Sequence, residues 1–574
     1  MTTSTLIPTA LEHAPQDDTR SRTWRRACWI VPLVFGLLSL ALRQDNNWDL
    51  RNYHLYNPFA LLNGKVGFDL APAQMQSYFN PAIDLLYYGL AKSLPGPLVG
   101  FLMGVLHGLN FILVALLARA MLPRDASRDS ARLGALLALA GLFGSAFISE
   151  LGNTMGDNLT ALFVLASLLL ILHNAARLAS GQGTGLLAAA GLIAGLASGL
   201  KLTNAMYALA LCLALLVLQG TLLLRIRRSF VFGLGVLAGI AISGGFWYWK
   251  MWTLFGNPLF PQFNAFFGSP LALPIGVGDM RFLPRNLTEK FLWPFIFALD
   301  PLRVSEIRLT VLIWPLLYLA FGLLALHALL RHRATSTTTD AVADAGTAGR
   351  WRLLLAFFAF SYLIWLNLFG IYRYLVPLEL LAPLMLWLIA QRVLPGARTA
   401  RAVAVLLVLV IAASFHAQSW GRAGWARETW RAEVPVIADP EQSMVLTVHA
   451  DPPMGWLATL FPARLAFAAL GSNFPESEGY RARVAAMIAE RSGPLYVMLR
   501  GERALIDSAA SAEQRAAANA ASRATQAGAQ QVLQHYGLRL DAASCRHHPA
   551  WLGKNRMDFQ MCLVTAEAGK ASAG

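Results

Sequence analysis

Apolar runs long enough to cross a bilayer recur through the first three quarters of this chain, and they leave little choice of fold. A spanning helix needs about 20 mostly apolar residues, and about eleven segments meet that criterion: 27–43, 97–122, 131–149, 157–178, 184–200, 202–221, 229–252, 308–331, 351–370, 373–393 and 400–417. Only 14% of the 574 residues are charged, against about 25% in soluble proteins. The expected fold is an α-helical polytopic membrane protein with about eleven transmembrane helices, followed by a soluble α/β domain. Ser39-Leu40-Ala41 offers a small-x-small cleavage site after the first run, but a 26-residue leader is long for a signal peptide.

Loop charge predicts orientation. With the N-terminus inside, the inside segments hold Arg20, Arg22, Arg25 and Arg26, then the arginines near 124–132, 177, 225–228, 331–352 and 392–401. The short outside turns near 150–156, 200–204 and 370–373 hold only Lys201 and Arg373. Residues 1–26 then form a cytoplasmic tail, 27–417 the membrane domain with outside loops 44–96 and 253–307, and 418–574 an outside domain. On this reading the net charge of +15 belongs mainly to loops; no basic stripe or nucleic-acid motif accompanies it, so no nucleic-acid partner is expected. The polar segment 335–349 reads as a disordered inside linker.

The 44–96 loop is too polar to span and too aromatic to hang free. It is expected to form a cap at the membrane surface, with short interfacial helices at 52–63 and 81–92. Segment 253–305, rich in Pro and Phe, reads as a surface-hugging loop with little regular structure. In the tail, apolar runs at 444–448, 495–499, 538–540 and 559–564 alternate with helical stretches 476–491 and 502–534, which suggests a small α/β domain. The Ala-rich 509–529 stretch reads as a solvated helix. Cys28 and Cys212 fall in apolar runs, whereas Cys545 and Cys562 are expected to form a disulfide bracketing the last strand if the tail is exported.

The topology carries Asp49, His54, Asp69, Asp84, Glu150, Asp157, Lys201, Tyr372 and Arg373 to the outside face or the outer helix ends from five separate segments. Asp49, in WDLRNYH, can take a proton from a hydroxyl as a general base or cap the helix starting near Leu50; Asp45 is its nearest rival. Arg373 and Lys201 are either snorkelling cations or ligands for a lipid phosphate, Arg through paired hydrogen bonds and Lys as a point charge. Gly191, Gly195 and Gly199 have the spacing of a helix-packing stripe. His107, His173 and His416 have no partners at metal-ligand spacing, so no zinc site is expected. No Walker A sequence, dinucleotide fingerprint or nucleophile elbow is present.

These residues resemble those of the membrane-embedded GT-C glycosyltransferases, which take a sugar from a polyprenyl-phosphate carrier. The first outside loop is similar to that of the aminoarabinose and protein-mannosyl transferase branch, where an Asp just after the first span is followed four residues later by Tyr and then by an amphipathic helix ending in Gly. Here those positions are Asp49, Tyr53 and Gly64. YRYLVPLE resembles the segment that presents an Arg to the lipid phosphate, which points to Arg373, and GLKLTN is similar to the G-x-K-x-T pattern near the carrier, which points to Lys201. The loop carries Asp-Leu where the aminoarabinose branch has Asp-Glu, so that substrate is not carried over.

The candidate site is Asp49 as catalytic base, with Arg373, Lys201, Tyr372, Tyr53, His54, Asp157 and Glu150 around the substrates. The resemblance implies an inverting transferase in a bacterial inner membrane, with a polyprenyl-phosphate sugar donor, surrounding membrane lipids and a lipid, glycan or protein acceptor. Trp48, Tyr53 and Tyr56 are aromatics available to stack on the sugar. Phosphate leaves readily, so no cofactor or metal is required in principle, although a divalent metal is compatible. The competing classes are a flippase for lipid-linked glycans, which needs polar groups near the bilayer midplane, and a non-enzymatic scaffold.

Overall fold

The computed structural model describes residues 15–122, 128–276, 279–334, 345–414 and 418–567. The chain is mostly helical, and a sheet-containing domain closes it. Among the described residues, seven helices are long and apolar enough to cross a membrane: Trp24–Leu42, Gly96–Met121, Leu222–Ser243, Ile313–Leu330, Ala348–Leu368, Tyr372–Val393 and Ala397–Ser414. At the other four expected positions the apolar helices are shorter: Ser130–Leu142, Asp157–His173, Thr184–Leu200 and Leu202–Leu215.

The differences from the expected spans have local causes. The 131–149 run is broken by Gly144, whose extended backbone separates Arg128–Leu142 from Ser145–Ser149. The helix expected at 229–252 starts earlier, at Leu222, where the Thr221 hydroxyl accepts from the Leu224 amide, and it stops at Gly244. The first helix begins at Pro15, so it runs on beyond the apolar span Trp24–Leu42 into residues 15–23. Most of the 335–349 linker and His416 lie outside the described residues.

Thr184–Leu200 lies directly on Leu222–Ser243. A Cβ at Gly191 or Gly195 would stand 2.1 Å from the carbonyl oxygen of Phe232 or Val236, and Gly235 and Gly239 answer from the facing helix at 2.3 and 2.2 Å from Ala188 and Leu192 carbonyls. The small residues therefore bring the two backbones into contact.

The segment expected to be irregular contains a helix, Leu287–Leu299. Asn286 caps it by accepting from the Glu289 amide at 2.8 Å, and Glu289 accepts from the Arg285 amide at 2.8 Å. Pro294 sits inside this helix and disguises it in the sequence.

In the closing domain, strands β1 (Met444–Val448), β2 (Ala466–Leu470), β3 (Leu495–Arg500), β4 (Leu538–Leu540), β5 (Arg546–His548) and β6 (Phe559–Ala566) form one sheet in the order β2-β1-β3-β6-β4, with β5 also on β6. The first three are parallel and β6 is antiparallel to β3. Cys545 and Cys562 are disulfide-bonded. The bond ties the residue before β5 to the middle of β6, so it does not bracket the last strand.

The 44–96 cap holds short helical turns at Leu50–His54, Tyr56–Leu62, Pro81–Ile83 and Asp84–Ser93. Between them the chain joins the sheet edge: the Leu70 amide donates to the Phe467 carbonyl at 2.9 Å, and the Ala469 amide donates to the Leu70 carbonyl at 3.0 Å. Lys65, with 1% of its side chain exposed, reaches the Leu465 carbonyl at 2.6 Å and Asp69 at 3.2 Å. Asp69, expected at the candidate site, is occupied in this joint. It accepts from Tyr56 Oη at 2.7 Å and from the Phe467 amide at 2.9 Å.

Candidate functional site

The turn at the start of the cap decides which aspartate is available. Asn47 is the residue that caps it, accepting from the Leu50 amide at 2.6 Å, while Asp49 is already helical and makes no capping bond. Asp45 is buried, 2% exposed. Its carboxylate accepts from four donors: the Asn47 amide at 3.0 Å and side chain at 2.9 Å, the Thr154 amide at 2.9 Å and the Thr154 hydroxyl at 2.8 Å. Both of its oxygens are thus engaged in tying this turn to Thr154, and neither is presented to a substrate. Asp49 keeps 14% of its side chain exposed and has one bond among the described residues, from Arg373 Nη1 to Oδ2 at 3.2 Å.

Arg373 stands in a short turn, Tyr372–Leu375, ahead of the Val376–Val393 helix. Its guanidinium lies over the rings of Tyr374 (5.3 Å) and Trp420 (5.7 Å), and its buried Nε has no hydrogen-bond partner. Lys201, at the end of Thr184–Leu200, also lies 5.3 Å from the Tyr374 ring. Its ammonium donates to Asp157 Oδ1 at 2.6 Å and to the Met155 carbonyl at 2.8 Å. The two cations thus share one aromatic ring, and each is held by one carboxylate.

Glu150 is fully buried and neither of its oxygens has a partner. Burial, reinforced by the charge of Asp157, pushes its carboxyl well above the usual range. Once protonated it can donate to Asp157, whose Oδ2 is likewise unpartnered. On the cap side, His54 Nδ1 lies 2.6 Å from Asp84 Oδ1 and the Tyr53 ring stands 4.1 Å from the imidazole. Burial raises the Asp84 carboxyl and, with Asp49 adding to it, the Tyr53 hydroxyl. Tyr53 and His54 follow Asp49 in one short helix, Leu50–His54, which carries the His54–Asp84 pair alongside it.

Asp49, Tyr53, His54, Asp84, Glu150, Asp157, Lys201 and Arg373 therefore converge, whereas Tyr372 does not. Its ring is buried among the helices, where its hydroxyl accepts from Trp314 Nε1 at 2.8 Å and donates to Glu379 at 2.5 Å. Adjacent residues of a tight turn point different ways, and it is Tyr374 that faces the cations. Glu379 also accepts from the Ala146 and Phe147 amides at 3.0 and 3.1 Å, so it fixes the turn that ends at Glu150. Sequence reading missed Tyr374, Glu379 and Trp420. The first two were legible as polar residues in the outer turns of an apolar run. Trp420 was not, because it returns to the site only through the fold, donating its indole N–H to Ser149 Oγ at 3.1 Å.

Among the described residues no group of three or more His, Cys, Asp or Glu side chains is placed to hold a metal ion. The arrangement offers one lightly held carboxylate beside two cations and several aromatic rings, which suits proton abstraction next to an anionic group. Comparison of the chain with protein-family models, curated proteins and solved structures gives no match.

Proposed function

We propose that the protein is an inverting glycosyltransferase of GT-C type that moves a monosaccharide from a polyprenyl-phosphate donor to a hydroxyl acceptor at the outer face of a bacterial inner membrane. In this reading the four shorter apolar helices also cross the bilayer, giving about eleven spans, and the closing domain is periplasmic. Asp49 takes the acceptor's proton, the acceptor oxygen bonds to the anomeric carbon, and the bond from that carbon to the phosphate oxygen breaks with its electron pair going to the phosphate. Arg373 and Lys201 stabilise the charge that develops there. Tyr374 and Trp420 provide ring faces beside these cations.

The contrast between the two neighbouring aspartates carries the reading. Asp45 is buried under four donors, and Asp49 is left with one long bond to the Arg that the donor phosphate would need. A site built for structure alone has no reason to leave that carboxylate so lightly held.

The test is mass spectrometry of lipid-linked sugars and envelope glycans in cells carrying no protein, the native protein or Asp49→Asn at matched expression. General-base work contributes about 10²- to 10⁴-fold, so the Asn variant should match the null, with a lipid-linked sugar accumulating and a glycan lacking one residue. A variant indistinguishable from the native protein in cells where the null differs would remove Asp49 from the chemistry and favour transport or a scaffold.

A further inference from the structure

Each cation in the site already has a carboxylate partner, so an incoming phosphate meets an existing ion pair at either one. The two pairs are unequal. Lys201 is bound to Asp157 at 2.6 Å and to a backbone carbonyl at 2.8 Å. Arg373 holds Asp49 by one bond at 3.2 Å, longer than the roughly 2.7–2.9 Å of a good charge-assisted contact, and its Nε is a buried donor with nothing to donate to. A phosphate offers several acceptor oxygens and can take paired N–H groups of one guanidinium.

We propose, resting on the transferase reading above, that Arg373 exchanges partners: in the empty protein it holds Asp49, and the phosphate of a prenyl-linked donor displaces that carboxylate, leaving it free to accept the acceptor's proton. Donor binding is then the event that makes the base. Until the donor is seated, Asp49 Oδ2 stays on Arg373, so productive activation of the acceptor follows donor binding. The rings of Tyr374 and Trp420 keep the guanidinium in place through the exchange, since their contacts do not depend on which anion it holds.

Calorimetric titration of the full chain in detergent with farnesyl phosphate, a short prenyl monophosphate, tests this. Asp49→Asn should bind the probe more tightly than the native protein by up to about fivefold, because the phosphate no longer competes with a partly exposed ion pair worth about 1 kcal/mol or less. Arg373→Gln should bind at least tenfold more weakly. The deciding arm is the double variant. If Asp49→Asn gains nothing in the Arg373→Gln background, the gain runs through the ion pair. If the gain persists there, it is plain charge repulsion and the exchange is overturned. Unchanged or weaker binding by Asp49→Asn with native melting behaviour also overturns it while leaving the transferase reading standing. A native protein that does not bind the probe at all overturns both.

Discussion

Asp45, in a short strand, and Asp49, in the turn that follows, lie four residues apart, and the fold assigns them opposite roles through their donors. Replacing Asp45 by Ala strands four buried donors, a loss of about 3–5 kcal/mol by the cost of breaking a buried charged network. Replacing Asp49 by Asn removes one bond at a partly exposed site, worth about 1 kcal/mol or less. Thermal melts should therefore show a large fall for Asp45→Ala and a small one for Asp49→Asn, although only the latter replaces the residue proposed as the base. Glu150 provides a second separation. An acid whose folded value is raised by burial contributes stability that is fully present below its unfolded value, about 4.3, and is lost as pH rises through the folded value. Melting temperature should decline across that window as pH rises, and Glu150→Gln should flatten the decline; an identical slope in the variant would place the proton elsewhere. At this scale the sequence was informative about charge. Acids and bases at apolar-run ends pointed to Asp49, Asp157, Lys201 and Arg373, but whether a carboxylate is saturated, as Asp45 is and Asp49 is not, depends on Thr154, which arrives from another segment.

Among the elements, what could be read was what repeats locally. The four-residue glycine spacing at 191, 195 and 199 showed a packing face, and the structure supplies its partner in Gly235 and Gly239. Gly195→Ala would push a methyl group to 2.1 Å from the Val236 carbonyl; overpacking of this kind costs about 1–3 kcal/mol. Gly185, in the same helix, faces open space, so Gly185→Ala should be neutral or stabilising by up to about 1 kcal/mol. Melting both variants in one detergent checks the pair, and equal shifts would mean that the two helices are not in backbone contact. What could not be read is equally local in cause. β2 is Ala466–Leu470, AFAAL, whose alanines carry little strand preference. It forms because β1 on one side and Leu70 on the other give its backbone partners. Leu287–Leu299 was concealed by its internal proline, although Asn286 and Glu289 mark its start.

Across the whole molecule, the change in hydropathy near residue 418 reads as a boundary between a membrane part and an independent domain, yet the cap is fastened to both. Residues 44–45 pair with 422–423, Gln44 Nε2 donates to the Thr429 carbonyl at 2.9 Å, and Lys65 and Leu70 lock the cap onto the sheet edge. These partners lie hundreds of residues apart in the chain, and no local pattern announces them. The expected consequence is that β2, through Leu70, steadies the cap that carries Asp49. Lys65 tests this in the intact chain. Burial pushes its ammonium down and the Asp69 carboxyl up, and the attraction between the two opposes both shifts. Lys65→Met keeps much of the side-chain volume but leaves Asp69 as a buried carboxylate without its cation, a change that costs about 3–5 kcal/mol. Hydrogen exchange should then quicken in residues 44–93 and in β2 together, while the Thr184–Leu200 and Leu222–Ser243 helices keep their protection, because the lost contact joins the cap to the sheet and not to the bundle. If β2 alone loosened and the cap stayed protected, the helices would be holding Asp49 in place unaided, and the closing domain would be free to serve some other purpose.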